Sequence, residues 1–450
     1  MNVKRLVVAL SMIFILVLVG IVMVYLARLA MDDEEEVKGP SGVIPKPVTA
    51  LNPVLRGPAD WPCWRGPRGD GKSIVTGIRK DWSGGLRKLW DVDYLCQGTQ
   101  SVTWSAPAIQ GNRLVVPGRN ESNDLVFCLD PNSGAFLWLG SYEAGAGTSH
   151  GPGARATPYI DDDRVYTFGR SGDLVCWRLE DGQLLWRHNV SEIGGKTPRW
   201  WHSSSPLVCE RKVFVQGGGS ALAVAYDKIT GELVWKAMEG EAGYAAPALI
   251  YVGDKVGLLI FHGMGLACLD PNDGSVFWSV PWETRYQVNA TTPAMSGTTV
   301  FITSGYETGC QALRVGNAGA DILWTSKVVA AHHSDPIVVD DHIYGYSGQS
   351  SQNRGHFKCV KLDTGQEQWS TREVGWGTTV YVDGHLLCMD IKGNLFLVEP
   401  DPGAFRKVTE FKHALGKVKH TAWTIPVIAN GKLYLRYMQR LVCYRLVDTG

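Results

Sequence analysis

The chain has 450 residues, with 44 Lys and Arg against 44 Asp and Glu and a formal net charge of zero. That balance excludes the basic excess a nucleic-acid footprint requires. Ten cysteines occur with no C-x-x-C pair, which excludes zinc-ribbon and haem-attachment spacings. The 52 glycines and 17 tryptophans suit a chain with many turns and a packing role for Trp.

Residues 1–5 form a short tail carrying Lys4 and Arg5. Leu6 to Ala27 follow without a charge, long enough to cross a hydrocarbon core of about 30 Å as a helix. Ala27-Arg28-Leu29-Ala30 is a poor cleavage site, so residues 6–27 are expected to remain as a transmembrane signal anchor. Basic residues ahead of the span place the tail in the cytoplasm. The rest of the chain is then expected on the periplasmic or extracytoplasmic side of the inner membrane, held by a single pass. Residues 28–60 begin with an acidic run, Asp32 to Glu36, and continue rich in Pro and Gly. They read as a flexible linker.

Residues 61–85 open with Trp61-Pro62-Cys63-Trp64-Arg65-Gly66-Pro67-Arg68-Gly69-Asp70-Gly71-Lys72-Ser73. Gly66 to Ser73 match G-x-x-x-x-G-K-S, the phosphate-binding P-loop. That loop works only between a buried parallel strand and a helix N-terminus. Trp-Pro-Cys-Trp-Arg is no such strand, and Ile74 to Ile78 is too short and β-branched for the helix. No nucleotide is expected here, and the segment is expected to be irregular.

From residue 86 onward a repeat dominates. Ala225-Tyr226-Asp227-Lys228-Ile229-Thr230-Gly231-Glu232-Leu233-Val234-Trp235 reads as strand, tight turn, strand. The same spacing joins Cys128, Gly134 and Trp138; Cys176, Gly182 and Trp186; Cys268, Gly274 and Trp278; and Cys359, Gly365 and Trp369. The cysteines stand where one copy has Ala225, so they read as small buried hydrophobes. A period of about 40–50 residues points to a propeller or another repeat array.

Two ladders count the units. Trp90, Trp138, Trp186, Trp235, Trp278, Trp324 and Trp369 end successive outer strands, and Phe411 continues the series. Pro107, Pro158, Pro206, Pro247, Pro293, Pro336 and Pro426 precede successive inner strands, with the missing step near Thr378-Thr379-Val380. Both ladders give eight. Trp90 ends a strand that has no start of its own, and the chain stops after Pro426 without a Trp strand. The fold expected is therefore all-β: an eight-bladed propeller over 86–450, closed by its N-terminal strand, with the seven tryptophans docking blade on blade.

The unit resembles the tryptophan-docking repeat A-x-D-x-x-T-G-x-x-x-W of the pyrroloquinoline-quinone (PQQ) dehydrogenase-like propellers. Ala225–Trp235 fits every fixed position, whereas the copy ending at Trp186 has Arg178 in place of Asp. Trp61 to Gly71 are similar to the lead-in of bacterial proteins of this kind. In the enzymes, the resemblance implies PQQ over the channel mouth between a Trp and a disulfide of adjacent cysteines, with calcium and a catalytic Asp. This sequence has no Cys-Cys pair and no Cys-x-x-Cys-His, and Asp335 is the obvious acid near the mouth.

The residues just before the Pro ladder converge on that mouth and are the candidate binding site. They are Trp104, Arg155, His202, Tyr244, Asn289, His333, Trp376 and Trp423, with Trp201, Gln287, His332 and His420 beside them. Arg155 and the histidines give the mouth a weakly cationic character, suited to an acidic ligand or peptide. The histidines lack a diagnostic metal spacing. The function expected is a non-catalytic envelope scaffold that binds other envelope proteins or a peptide, with no cofactor. A PQQ- and calcium-dependent dehydrogenase and the ectodomain of a sensor are the alternatives.

Overall fold

The computed structural model describes residues 42–47, 57, 59–98, 101–145, 150–252, 254–316, 319–349 and 355–448. Leu6–Ala27, expected to cross the membrane, and most of the expected linker lie outside the described residues. Among the described residues no helix is long and apolar enough to cross a membrane.

Eight four-stranded antiparallel sheets make up the fold. Blade 1 runs from Ala108–Gln110 to Phe136–Glu143, blade 2 from Tyr159–Asp161 to Leu184–Asn189, and blade 3 from Leu207–Cys209 to Leu233–Ala237. Blade 4 runs from Ala248–Val252 to Val276–Pro281, blade 5 from Ala294–Ser296 to Gly319–Ser326, and blade 6 from Ile337–Val339 to Glu367–Thr371. Blade 7 spans Gly377–Val382 to Arg406–Phe411. Blade 8 takes three strands from the C-terminus, Val427–Ala429, Lys432–Tyr437 and Arg440–Arg445, and its outer strand from the N-terminus, Lys88–Val92. The ring thus closes as the offset of the two ladders requires: Trp90 pairs with Cys443 and Val92 with Leu441.

The repeat residues have distinct jobs. In each copy the small residue lies directly across from the Trp: Ala225 faces Trp235, Cys128 faces Trp138 and Cys359 faces Trp369. The register shifts immediately after that pair, as a β-bulge does, and turns the outer strand. All ten cysteines are free thiols, and nine are buried. Burial pushes the Cys268 and Cys388 thiols up to about 12, consistent with packing rather than reactivity.

Asp227 accepts from the Ile229 and Thr230 amides at 2.8 Å and so builds the turn. Gly231 follows at φ 77°, and a Cβ there would stand 2.8 Å from the Trp186 ring of the previous blade. Gly is required twice over: for the left-handed backbone and for the indole laid on it. Where the Asp is replaced by Arg178, Asp181 takes over, accepting from Arg178 and from the Gln183 amide.

The indole N–H then closes the seam. Trp90 donates to the Pro131 carbonyl at 3.0 Å, Trp138 to Leu179 at 2.9 Å, Trp235 to Pro271 at 3.1 Å, Trp324 to Leu362 at 2.9 Å and Trp369 to Asp401 at 2.8 Å. Phe411 ends the series edge-on to Tyr444 at 5.5 Å. Two seams differ. The Trp186 N–H has no partner among the described residues, its ring lying against His188 and Tyr226 instead. Trp278 is half-buried, and its N–H also finds no partner among the described residues. There the outer strands of blades 4 and 5 pack directly on each other.

The lead-in segment lies within the channel bounded by the inner strands. Trp61 exchanges backbone bonds with Ile109 of blade 1, and Pro62 accepts from Ile160 of blade 2. Gly71 and Ser73 bond Tyr381 of blade 7, while the Ser73 hydroxyl reaches the Ile428 carbonyl of blade 8. Trp64 donates to Thr292 beside blade 5 at 2.8 Å. Arg65 pairs with Asp335 at 3.0 Å and donates to the Pro336 carbonyl at 3.0 Å beside blade 6. Gly66 to Ser73 therefore connects neither a parallel strand nor a helix; its Gly66, Gly69, Gly71 and Lys72 amides bond within the lead-in segment and its Ser73 amide bonds the ring.

Candidate functional site

A cavity of about 340 Å³ opens at the channel mouth. Its walls come from the loops that precede the inner strands, and Trp64 of the lead-in lines it from within the channel. One aromatic belt runs round it. Trp200 meets His150 at 5.4 Å between ring centres, His150 meets Trp423 at 5.9 Å, and Trp423 meets His333 at 5.6 Å. His333 lies 3.8 Å from His332, and His332 lies 4.8 Å from Tyr306. Trp104 packs on Trp423 at 5.0 Å. Tyr244 completes the belt, its hydroxyl accepting from the Trp200 amide at 3.1 Å.

Among the described residues, Arg155 is the only Lys, Arg, Asp or Glu on this lining. It donates to the Trp200 carbonyl at 2.6 Å and to the His150 carbonyl at 3.5 Å. Burial lowers its pKa to about 10, so it stays cationic at neutral pH. Burial also draws His332 down to about 4 and His333 well below the usual histidine range, each disfavoured further by neighbouring histidine. Both are neutral at pH 7. The weak positive character expected of the mouth thus comes from Arg155, with no charge from these two rings. Burial pushes Tyr244 up to about 12, so it remains a neutral phenol.

Of the eight candidates, Trp104, Arg155, Tyr244, His333 and Trp423 line the cavity, whereas His202, Asn289 and Trp376 do not. The reason for His202 is local. Trp201 takes φ 68°, which reverses the alternation of side chains. Trp200 then faces the cavity, and His202 is buried against Phe168 at 5.1 Å. Asn289 is an internal brace: it donates to the His262 carbonyl at 2.7 Å and accepts from the Ser304 hydroxyl at 2.7 Å. Trp376 donates to the Gly348 carbonyl at 3.0 Å and stands edge-on behind His333 at 5.8 Å, so it positions that ring.

Among the residues beside the candidates, His332 lines the cavity, while Trp201, Gln287 and His420 do not. His150, Trp200 and Tyr306 are lining residues that the Pro ladder does not mark. The first two sit further back in their loops, and Tyr306 comes from a hairpin tip inside blade 5. A count of aromatic residues in every loop on that face would have found them. Asp335 is committed elsewhere, accepting from the Thr292 amide at 3.0 Å as well as pairing with Arg65. Among the described residues no group of three or more His, Cys, Asp or Glu is placed to hold a metal ion.

The family model described as outer membrane protein assembly factor BamB matches residues 122–371. Among solved structures, BamB from Moraxella catarrhalis is similar with a TM-score of 0.58 at 14% identity, over 81% of this chain and 99% of that one. Quinohemoprotein alcohol dehydrogenase from Comamonas testosteroni is similar with a TM-score of 0.60 at 13% identity, over 87% and 82%. A europium-containing methanol dehydrogenase gives 0.60 at 12% identity, over 84% and 90%. At these identities the structural likeness shows the shared propeller fold and nothing of the chemistry. No curated protein matches the sequence.

Proposed function

The chain belongs to the family described as outer membrane protein assembly factor BamB, and from that premise we propose that it is a non-catalytic binding propeller of the cell envelope. Its site is the aromatic cavity at the channel mouth. Leu6–Ala27 serves as the membrane anchor, the ring stands on the extracytoplasmic side, and the bound partner is an envelope component presenting an apolar group to the cavity.

The observation that carries this reading is the chemistry of the lining: an aromatic belt with, among the described residues, one arginine and no carboxylate. Such a surface buries apolar area and offers few polar anchors, as binding pockets do. It does not fit PQQ with calcium. Calcium takes six to eight oxygen ligands, carboxylates foremost, and the nearby Asp335 is locked to Arg65. No adjacent cysteines exist to cap a quinone.

The test has two arms. The purified full chain is incubated with PQQ and calcium, desalted, and assayed for quinone absorbance and alcohol-dependent dye reduction. Both are expected at background, and a positive result in either overturns the reading. In the second arm, envelope proteins captured by the wild type are compared with those captured by Trp423→Ala. Loss of a specific partner is expected; identical capture places binding elsewhere on the ring.

A further inference from the structure

Several polar groups on the cavity wall can only donate, while its Ser, Thr and Tyr hydroxyls and neutral imidazoles can both donate and accept. Arg155 donates and cannot accept. Trp200 and Trp423 contribute indole N–H groups that find no partner among the described residues, and His332 Nδ1 has none there either. Among the described residues no Asp or Glu contributes to the lining. The complement of such a surface is a ligand with hydrogen-bond acceptors and negative charge.

A second cation reinforces the sign of the field. Arg170 is fully buried, stacks on Trp201 at 4.4 Å and donates to the Gly151 carbonyl, next to the His150 carbonyl that Arg155 holds. Among the described residues it makes no ion pair, whereas buried Arg119 is answered by Asp124 at 2.8 Å. Half-buried Arg155 and buried Arg170, on neighbouring carbonyls, together disfavour a cationic ligand.

Size and shape narrow the class. An apolar cavity of roughly 150 Å³ already accepts a benzene ring, so about 340 Å³ holds one or two rings or a comparable flat chain. The walls are largely indole, phenol and imidazole rings, which favour a flat body through aromatic contact.

We propose that the cavity selects a compact monocarboxylate with a flat apolar body, its carboxylate on Arg155 and its body between Trp104, Trp423 and His333. This rests on the reading of the propeller as a binding protein with its site at the mouth. Arg155 sets the selectivity and the aromatic belt supplies the contact area.

The full chain is titrated calorimetrically with phenylacetate, 2-phenylethanol and phenethylamine, which share a ring and differ in the charge of the head group. Phenylacetate is expected to bind at least about tenfold more tightly than the alcohol, as a charge-assisted hydrogen bond provides, and the amine is expected to bind least. Arg155→Met is expected to remove the advantage of the acid while leaving binding of the alcohol. If that variant does not fold, as its thermal melt would show, the wild-type comparison of acid with alcohol decides alone. Equal binding of acid and alcohol, or preference for the amine, overturns the carboxylate. Equal binding of all three that is lost in Trp423→Ala overturns the carboxylate but keeps the cavity as the site. Absence of binding by all three overturns the ligand class, and the reading beneath it falls only if envelope capture is also indifferent to Trp423→Ala.

Discussion

The outer rim and the channel mouth of this propeller are built from the same tryptophan-rich chain by opposite rules. At the rim, one arrangement is repeated: an indole lies on a glycine of the next blade and donates to a carbonyl beside it. At the mouth the position recurs but the side chain does not: Trp104, Arg155, Tyr244, His333 and Trp423 each stand three residues before a ladder proline. His150, Trp200, His332 and Tyr306 join them from positions off that register. Repetition serves packing, because every seam has the same geometry to satisfy. Binding needs an asymmetric surface, so the mouth keeps the repeat's positions and varies the side chains on them.

The sharpest way to break this contrast is to treat one rim tryptophan as dispensable. Trp235 is 8% exposed, with both its glycine platform, Gly274, and its carbonyl partner, Pro271, in place. Trp235→Ala should cost roughly 3–5 kcal/mol, as for other buried aromatics. Trp278 is half-buried and lacks the indole bond, so Trp278→Ala should cost less than about 2 kcal/mol. Denaturant midpoints of the two variants measure the difference, and equal losses would show that docking geometry is irrelevant to the rim.

The junction of rim logic and mouth logic is the Arg65–Asp335 pair, 3% and 6% exposed, which ties the lead-in to blade 6. Removing one partner strands the other charge in a dry site. Asp335→Ala should destabilise by about 3 kcal/mol, because Arg65 keeps its bonds to the Gly69, Asp70 and Pro336 carbonyls. The double variant Arg65→Met with Asp335→Leu should recover part of that loss. A double variant worse than Asp335→Ala would mean that the pair is a net source of stability.

These two cases also show what the sequence makes legible. Blade count, ring closure by the strand around Trp90 and the small residue facing each Trp all follow from spacing, because one backbone geometry recurs and leaves one residue pattern. The mouth was legible only in outline. Five of eight candidates line the cavity because a residue ahead of an inner strand points inward by default. Trp200 and His202 exchange roles because one left-handed residue, Trp201, reverses the alternation, and no spacing rule announces that. The fate of Asp335 was also hidden, since its partner Arg65 lies 270 positions away and meets it only once the ring has closed.

The buried histidines give an effect that is absent at neutral pH and appears only in acid. His202 is 1% exposed, and its pKa falls to about 4 through burial; His332 falls to about 4 for the same reason. Both bind a proton more readily when unfolded. Their contribution is therefore complete above pH 6.5 and is lost as pH falls from 6.5 toward 4, at up to about 1.4 kcal/mol per pH unit for each ring. Thermal midpoints should decline through that window, and His202→Phe should flatten the decline. A midpoint independent of pH between 4 and 6.5 would show that these rings are protonated in the folded chain. Ligand binding at the mouth should, by contrast, hold steady from pH 7 to pH 9, where Arg155 is charged and both His332 and His333 are neutral.

The smallest effect is expected where the sequence offers its most conspicuous motif. Gly66–Ser73 has the letters of a phosphate-binding loop, but its backbone is committed: the Ser73 amide donates to the Tyr381 carbonyl at 2.8 Å and the Gly71 carbonyl accepts from the Tyr381 amide at 2.9 Å. A phosphate would have to compete with the Tyr381 carbonyl for the Ser73 amide, and no helix N-terminus adds its dipole. Lys72, the residue a nucleotide would depend on most, merely lies over the Tyr381 ring at 5.7 Å. Lys72→Ala should therefore change stability by no more than about 0.5 kcal/mol. Neither wild type nor variant should bind a nucleoside triphosphate with magnesium in a calorimetric titration. Saturable binding that disappears with Lys72→Ala would return the loop to the class its letters suggest. It would also require the lead-in to leave the channel, so the Trp64 bond to Thr292 would open with it, and the indole environment at the base of the cavity would report the change.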